Sequence, residues 1–332
     1  MSKRATVLDV AKVARVGAST VSRFLRGVPV RPEAAQRIAA AVKALQYTPD
    51  ESARTLRGGR SRTIGIVVPK VSNNFFSQAT QWMEEEARHQ GWTVLLLTHQ
   101  DHLEQQYEQL QTLHRYRAEG VLLTAAPGSD VRKIRLLLPN VPVVAFDSFL
   151  AADVDSVLLR NRESARLATA HLLAHGYRRI YCVGAKPATY SIGERVAGYS
   201  EALAAAQLEP ALIVPDDYLK LHHMLATALS GKRPPQAILA LSDFATQHVL
   251  STFEDLGLDA RQRPAMISYD DFSFAALLDP PLSVVRQPTE SMVRYALNAL
   301  FRRIRNEAGD EVVSLQLPGE LVLRSSCGCQ AR

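Results

Sequence analysis

From Thr63 onward the chain repeats one unit, a short apolar run followed by a stretch of helical periodicity, and this repeat restricts the possible folds more than any other feature. The runs are TIGIVVP, WTVLLLT, GVLLTAAP, VPVVAFD, DSVLL, RRIYCVGA, PQAILALS and AMISYDD. Helical stretches between and after them include residues 75–90, 102–117, 161–175, 192–207, 244–256 and 289–307. Unbroken Val/Ile/Leu runs suit strands covered on both faces, and strand–helix alternation joins such strands in parallel through right-handed crossovers. The pattern predicts a doubly wound α/β body. A length of 332 residues exceeds one ordinary domain, and 47% hydrophobic residues can fill more than one core.

Ligands of open α/β sheets bind beyond the carboxyl ends of the strands. Functional residues are therefore expected just after the runs: Ser72, Asn73, Asn74, Phe75 and Phe76; Asp147 and Ser148; Arg160 and Asn161; Ser242 and Asp243; Asp270 and Asp271. Aromatic faces beside hydrogen-bonding groups suit a small polyhydroxylated ligand.

Charge is segregated along the chain. Residues 1–62 hold thirteen Lys/Arg against four Asp/Glu, a net +9, and the other 270 residues sum to −3. A basic segment on a mildly acidic body fits a nucleic-acid-binding head. A solvated basic tail would lack apolar periodicity. Here Val7, Val10, Ala11 and Ala14 repeat at helical spacing, then Val21, Phe24 and Leu25, then Ile38, Ala41, Val42 and Leu45. Thr6 stands as an N-cap with Asp9 three residues on, and Pro32 and Glu33 open the third helix. Short helices joined by tight turns make a helix-turn-helix unit, whose second helix lies in the major groove. Its outward residues, Ala18, Ser19, Ser22, Arg23 and Arg26, are small, polar or cationic, as base reading and phosphate contact require. Spacing alone equally allows a plain three-helix bundle.

The run TVLDVAKVARVGASTVSRFLRG, followed by RPEAAQRIAAAVKALQYTPDESARTLRGGRSRTIGIVVP, closely resembles the lactose/galactose-repressor (LacI/GalR) family of bacterial transcription regulators, and the likeness covers essentially the whole chain. The resemblance implies an all-α helix-turn-helix headpiece at 1–48, a hinge at 49–62 and a two-lobed, periplasmic-binding-protein-like α/β core at 63–332 with two doubly wound parallel sheets. One lobe would take about 63–160 and 290–318, the other about 161–289 and 319–328. By the same resemblance Ala18, Ser19 and Arg23 read bases, and Thr6, Thr20 and Ser22 hold phosphates. Two positions depart from the family pattern. Arg15 stands where Gly is usual in the turn, and Gly17 where a Ser/Thr cap is usual. The composition of the hinge reads as a flexible linker. The resemblance implies that it becomes a short helix on the operator, with Leu56 as a minor-groove wedge, Ala53 at the contact of paired hinge helices, and Arg54 and Arg57 against phosphates.

In the core the resemblance rests on SNNFF, GERVAGY, YDD and LLDPPLSVVRQP. It implies that Asn73, Phe75 and Phe76 line the cleft, that Arg195 anchors the ligand, and that Asp270 accepts hydroxyl hydrogen bonds. Ser242 takes the place usually held by Asn, followed by a matching Asp243. In VLLRN, Arg160 replaces the family's usual acid. Two cleft arginines would favour an anionic effector, a sugar acid or sugar phosphate. Alternatively, Arg160 points away or pairs with Asp270. The implied partners are pseudo-palindromic double-stranded operator DNA, a sugar-like effector and a second copy of the chain, as a homodimer or larger homo-oligomer.

No catalytic constellation converges in the sequence, so no enzyme, cofactor or metal is expected. His171 and His175 have the i, i+4 spacing of a metal pair but no acidic third ligand nearby, and Cys327-x-Cys329 reads as an ordinary terminus. GGRSRT lacks the ending of a P-loop, and no G-x-G-x-x-G follows a strand. Three cysteines cannot build a disulfide framework, and no run approaches eighteen apolar residues. With no signal peptide either, the expected setting is cytoplasmic and reducing, with no membrane contact. A rival reading is a sugar-binding or sugar-modifying protein with an incidental basic head, which would show no salt-steep, sequence-dependent DNA affinity.

Overall fold

The computed structural model describes residues 5–25, 27–47, 60–185 and 188–329. The chain divides into two compact units, Met1–Ser61 and Arg62–Arg332. Arg26, Ala53, Arg54, Leu56 and Arg57 lie outside the described residues.

The first unit holds α1 (Val7–Ala14), α2 (Ala18–Leu25) and α3 (Pro32–Ala44) around a core of Val10, Ala11, Ala14, Val21, Ile38, Ala41 and Tyr47. At the start of α1 the Thr6 hydroxyl accepts the Asp9 N–H at 3.3 Å, while the Asp9 carboxylate accepts the Thr6 N–H at 2.8 Å. That reciprocal pair satisfies two of the donors a helix start leaves open. Arg15 ends α1 in the left-handed region at φ 53, donating its N–H to Ala11 O and Lys12 O. The turn therefore keeps the backbone that glycine would favour, at a cost of about 1 kcal/mol for a residue with a Cβ.

The second unit holds, in chain order, β1 (Thr63–Val68), α4 (Asn74–His89), β2 (Thr93–Thr98), α5 (Leu103–Arg115), β3 (Gly120–Leu123), α6 (Val131–Leu137), β4 (Val143–Phe146), β5 (Ser156–Leu159), α7 (Asn161–Ala174), β6 (Ile180–Val183), α8 (Tyr190–Ala205), β7 (Ala211–Ile213), α9 (Tyr218–Leu229), β8 (Ala237–Ala240), α10 (Asp243–Asp255), β9 (Ala265–Tyr269), β10 (Ser283–Arg286), α11 (Thr289–Ile304), β11 (Ser314–Leu317) and β12 (Glu320–Val322). The strands form two six-stranded sheets, ordered β11-β5-β4-β3-β1-β2 and β12-β10-β9-β8-β6-β7. Every pairing is parallel except β10 with β12. The chain passes from one sheet to the other three times, after β5, after β10 and after β11. Each sheet defines a lobe with apolar cores on both faces, as buried parallel sheets require.

Close packing of α7 on α8 positions the site. A Cβ built at Gly198 on α8 would lie 2.0 Å from the backbone oxygen of Arg162 on α7, so only glycine lets the two backbones meet. Two sequence readings change. WTVLLLT, read as a buried strand, is the edge strand β2, with Leu96 exposed. The strands β7, β10, β11 and β12 and the helices α6 and α9 were not among the sequence-derived elements. The strands are only three or four residues long, too short for a period to show. Among the described residues, no helix is long and apolar enough to cross a membrane.

Candidate functional site

The carboxyl ends of both sheets open onto a cleft lined by Asn73, Phe75, Phe76, Asp147, Ser148, Arg195, Ser242 and Asp270 among the anticipated residues. Each lobe contributes one aspartate directly after a strand: Asp147 follows β4 at φ 51 and Asp270 follows β9 at φ 72. A left-handed backbone at a residue other than glycine is costly and concentrates at functional sites. Both carboxyls are buried. Burial, opposed by Arg195 and reinforced by Asp270, pushes Asp147 up to about 7. Asp270 is also raised by burial, against the pull of Arg195 and the hydrogen bond from Gln287.

Arg195 projects from α8 into this acidic pair, buried, with its guanidinium 3.9 Å over the Tyr269 ring. Its Nε donates to Asn161 Oδ1 at 2.7 Å and its Nη1 to Leu241 O at 2.6 Å. Part of its donor set is thus spent inside the lobe, and the remainder faces the cleft. Phe75 stacks on Phe146 with ring centroids 5.8 Å apart and meets Phe76 edge-on at 5.1 Å, giving one wall an apolar face. Ser148 Oγ accepts the Ala125 N–H at 2.8 Å, and Ser242 Oγ caps α10 by accepting the Ala245 N–H.

Among the described residues, the buried side-chain oxygens without a hydrogen-bond partner are Thr124 Oγ1, Asp147 Oδ1 and Gln287 Oε1. All three residues line this cleft. Buried polar groups are almost always paired, so three unpaired ones converging on one cavity mark a place for a hydrogen-bonding guest.

Three expectations need correction. Arg160 does not line the cleft. It precedes α7, where its half-exposed side chain donates to Gln316 O at 3.3 Å and pairs with Glu163 at 3.5 Å, not with Asp270. Asp243 braces the cleft instead of lining it. Its carboxylate accepts from Asn73 Nδ2, from the Asn74 N–H at 2.8 Å and from the Phe244 N–H at 2.7 Å. Burial and then the charge of Asp270 push it up to about 6, against those N–H donors. Asp271 pairs with Arg286 and Arg324, away from the cleft. Conversely, Lys70, Asp101, Thr124, Tyr190, Tyr218, Phe244 and Gln287 line it without having been singled out. Asp101, Thr124 and Phe244 follow apolar runs and were open to the strand-end rule. Tyr218 opens a helix that gave no periodic signal.

In the head, Ser19 and Arg23 are exposed on α2, and Arg23 Nη2 donates to Pro29 O at 3.2 Å. Thr20 and Ser22 are half-buried. Ala18, expected to face outward, is half-buried against the head core. The Thr6 hydroxyl serves the cap of α1, donating to Asp9 at 2.7 Å. The terminal Cys-x-Cys is not isolated: Cys327 and Cys329 lie against His171 and His175.

A basic three-helix head with a helix-turn-helix pair, together with a two-lobed α/β body around a polar cleft, defines a DNA-binding transcription regulator with a binding-protein-like sensor body. Residues 6–50 match the bacterial regulatory proteins of the lacI family, and residues 169–327 match a periplasmic binding protein-like domain. The repressor PurR of Aliivibrio fischeri (strain MJ11) is 29% identical over 97% of this chain and 98% of its own length. The ribose operon repressor of Halalkalibacterium halodurans is 28% identical over 97% and 96%. Among solved structures, the lac repressor dimer bound to operator and anti-inducer superposes with a TM-score of 0.86 over 98% of this chain and 99% of that one. At 22% identity this shows the fold alone. The transcriptional regulator CelR in complex with cellobiose matches at 27% identity and a TM-score of 0.68, over 97% and 100%. The chain therefore carries a lacI-family regulatory head followed by a periplasmic binding protein-like body, the make-up expected of the LacI/GalR resemblance.

Proposed function

We propose that this protein is a repressor of carbohydrate-metabolism genes whose hold on operator DNA is set by a neutral, polyhydroxylated sugar bound between the lobes. The observation carrying this reading is the convergence of Thr124 Oγ1, Asp147 Oδ1 and Gln287 Oε1, all unpaired, on a cleft with an aromatic wall. A sugar supplies hydroxyls to such oxygens and a ring face to Phe75 and Phe76. With Arg160 outside the cleft, the case for a sugar acid or sugar phosphate loses one of its two arginines. The cellobiose bound by the CelR relative and the name of the ribose operon repressor favour the same ligand class.

On DNA, Ser19, Arg23 and Ala18 reach base edges, while Thr6, Thr20 and Ser22 hold phosphates. Residues 49–62 act as the hinge, with Leu56 as the minor-groove wedge, Ala53 where paired hinges meet, and Arg54 and Arg57 against phosphates. Two copies pair so that protein and operator symmetry match. The exposed Trp82 and Leu96 of one lobe offer apolar surface for that pairing. The sugar binds open and closed lobes unequally, and that difference shifts the population competent for DNA.

A thermal-shift panel of neutral sugars, sugar acids, sugar phosphates and nucleobases tests the reading. A neutral sugar should raise the melting temperature and change operator affinity. Stabilisation by anionic compounds or nucleobases alone overturns the ligand class, and turnover of a bound sugar favours the rival enzyme reading.

A further inference from the structure

We propose that His171, His175, Cys327 and Cys329 form a structural zinc site that ties the carboxyl-terminal segment to α7. One ligand atom from each residue lies within 4.8 Å of the other three. His171 Nε2 stands 3.3 Å from Cys327 Sγ and 3.5 Å from Cys329 Sγ, and His175 Nε2 stands 3.3 Å from Cys329 Sγ. A tetrahedral zinc with bonds of about 2.3 Å to sulfur and about 2.0–2.1 Å to nitrogen has nitrogen–sulfur edges of about 3.6 Å. Three nitrogen–sulfur edges, at 3.3, 3.5 and 3.3 Å, are already close to that length.

Local structure explains how the four converge. His171 and His175 are one turn apart on the last turn and cap of α7, so both rings project from one face, with centroids 4.7 Å apart. Cys327 ends the short helical turn Ser325–Cys327, and Gly328 reverses the chain at φ 94 so that Cys329 returns to the same side. The φ of 94 at Gly328 favours glycine, and a Cβ there would also lie 2.5 Å from Tyr177 Oη, which would have to move.

The chemistry of the donor set selects the metal. Two thiolates and two neutral imidazoles are a tetrahedral S₂N₂ set, suited to zinc and not to calcium or magnesium. Binding displaces the two thiol protons, and two thiolates then cancel the dication, giving a neutral cluster where Cys327 is buried and Cys329 partly so. The site also lies at the carboxyl end of α7, where exposed carbonyls favour positive charge. The opposite end of that helix carries Asn161, which orients Arg195.

The test uses the full-length protein purified without a metal-affinity tag, loaded with zinc and dialysed into metal-free buffer. Elemental analysis should find one zinc per chain. Cobalt in its place should give the intense visible bands and thiolate charge transfer of a tetrahedral sulfur site. His175→Ala and Cys329→Ser, both at partly exposed positions, should each weaken zinc binding by at least about tenfold while remaining folded, since losing even a group that only hydrogen-bonds to a metal ligand costs that much. Zinc lost on dialysis, cobalt spectra without sulfur bands, or a Cys327–Cys329 disulfide in freshly purified reduced protein overturns the proposal.

Discussion

Asp243 accepts the backbone N–H of Asn74 at 2.8 Å, joining the first residue of α10 in one lobe to the first residue of α4 in the other. The same carboxylate takes the side chain of Asn73. One buried acid thereby links the lobes directly across the cleft.

Removing that acceptor should loosen the link. In Asp243→Ala, the Asn74 amide should exchange with solvent roughly tenfold faster, the effect of losing one hydrogen bond to a charged group. Hydrogen exchange followed by mass spectrometry reads this. An unchanged rate would mean that the lobes are held elsewhere.

Asp147 gives a pH signature. Burial moves its carboxyl from an ordinary 3.8 to about 7. A carboxyl raised on folding binds its proton more tightly in the native chain, so its contribution to stability is greatest below about pH 4 and declines as pH rises toward 7. The gap corresponds to at most roughly 4 kcal/mol. Asp147→Asn, whose side chain tolerates the left-handed backbone, should therefore melt higher than the parent at pH 8 and converge with it in acid. A variant less stable at pH 8 contradicts this.

Arg195→Ala removes the hydrogen bonds to Asn161 and Leu241 and the cation facing three raised carboxyls. It should cost on the order of 3 kcal/mol, as losing two buried hydrogen bonds from a charged donor does. Sugar-dependent stabilisation should vanish while ligand-free operator binding persists. Retained sugar response, read by calorimetry, would remove Arg195 from the ligand site.

Arg160→Ala should leave sugar affinity within about twofold, since its contacts, to Gln316 O and Glu163, lie outside the cleft. Titration calorimetry distinguishes this from the large loss expected of a ligand contact.

Arg15→Gly should stabilise the head by about 1 kcal/mol, because glycine occupies φ 53 without a Cβ clash. Denaturant unfolding of the full chain monitored by amide exchange in α1 measures it.

The α/β class was legible because buried parallel strands leave uninterrupted Val/Ile/Leu runs, and the head because its helices carry caps and apolar spacing. The strand-end rule brought Asp147 and Asp270 into view as cleft residues, since the pleat delivers the next residue to the sheet's edge. It could not say which way that residue points. Arg160 follows β5 as Asp147 follows β4, yet its side chain leaves toward Glu163. The His171–Cys329 cluster was invisible for another reason. Its halves lie 158 residues apart, and only the packing of the carboxyl-terminal turn on α7 joins them.

The central claim is sequence-selective DNA binding under sugar control. Anisotropy titrations of the protein should be run on its operator and on a scrambled duplex, at two salt concentrations, with and without the stabilising sugar. Tight operator binding that weakens steeply with salt and changes at least about tenfold with sugar is the predicted result. Equal, feeble affinity for both duplexes, indifferent to salt and sugar, would contradict it.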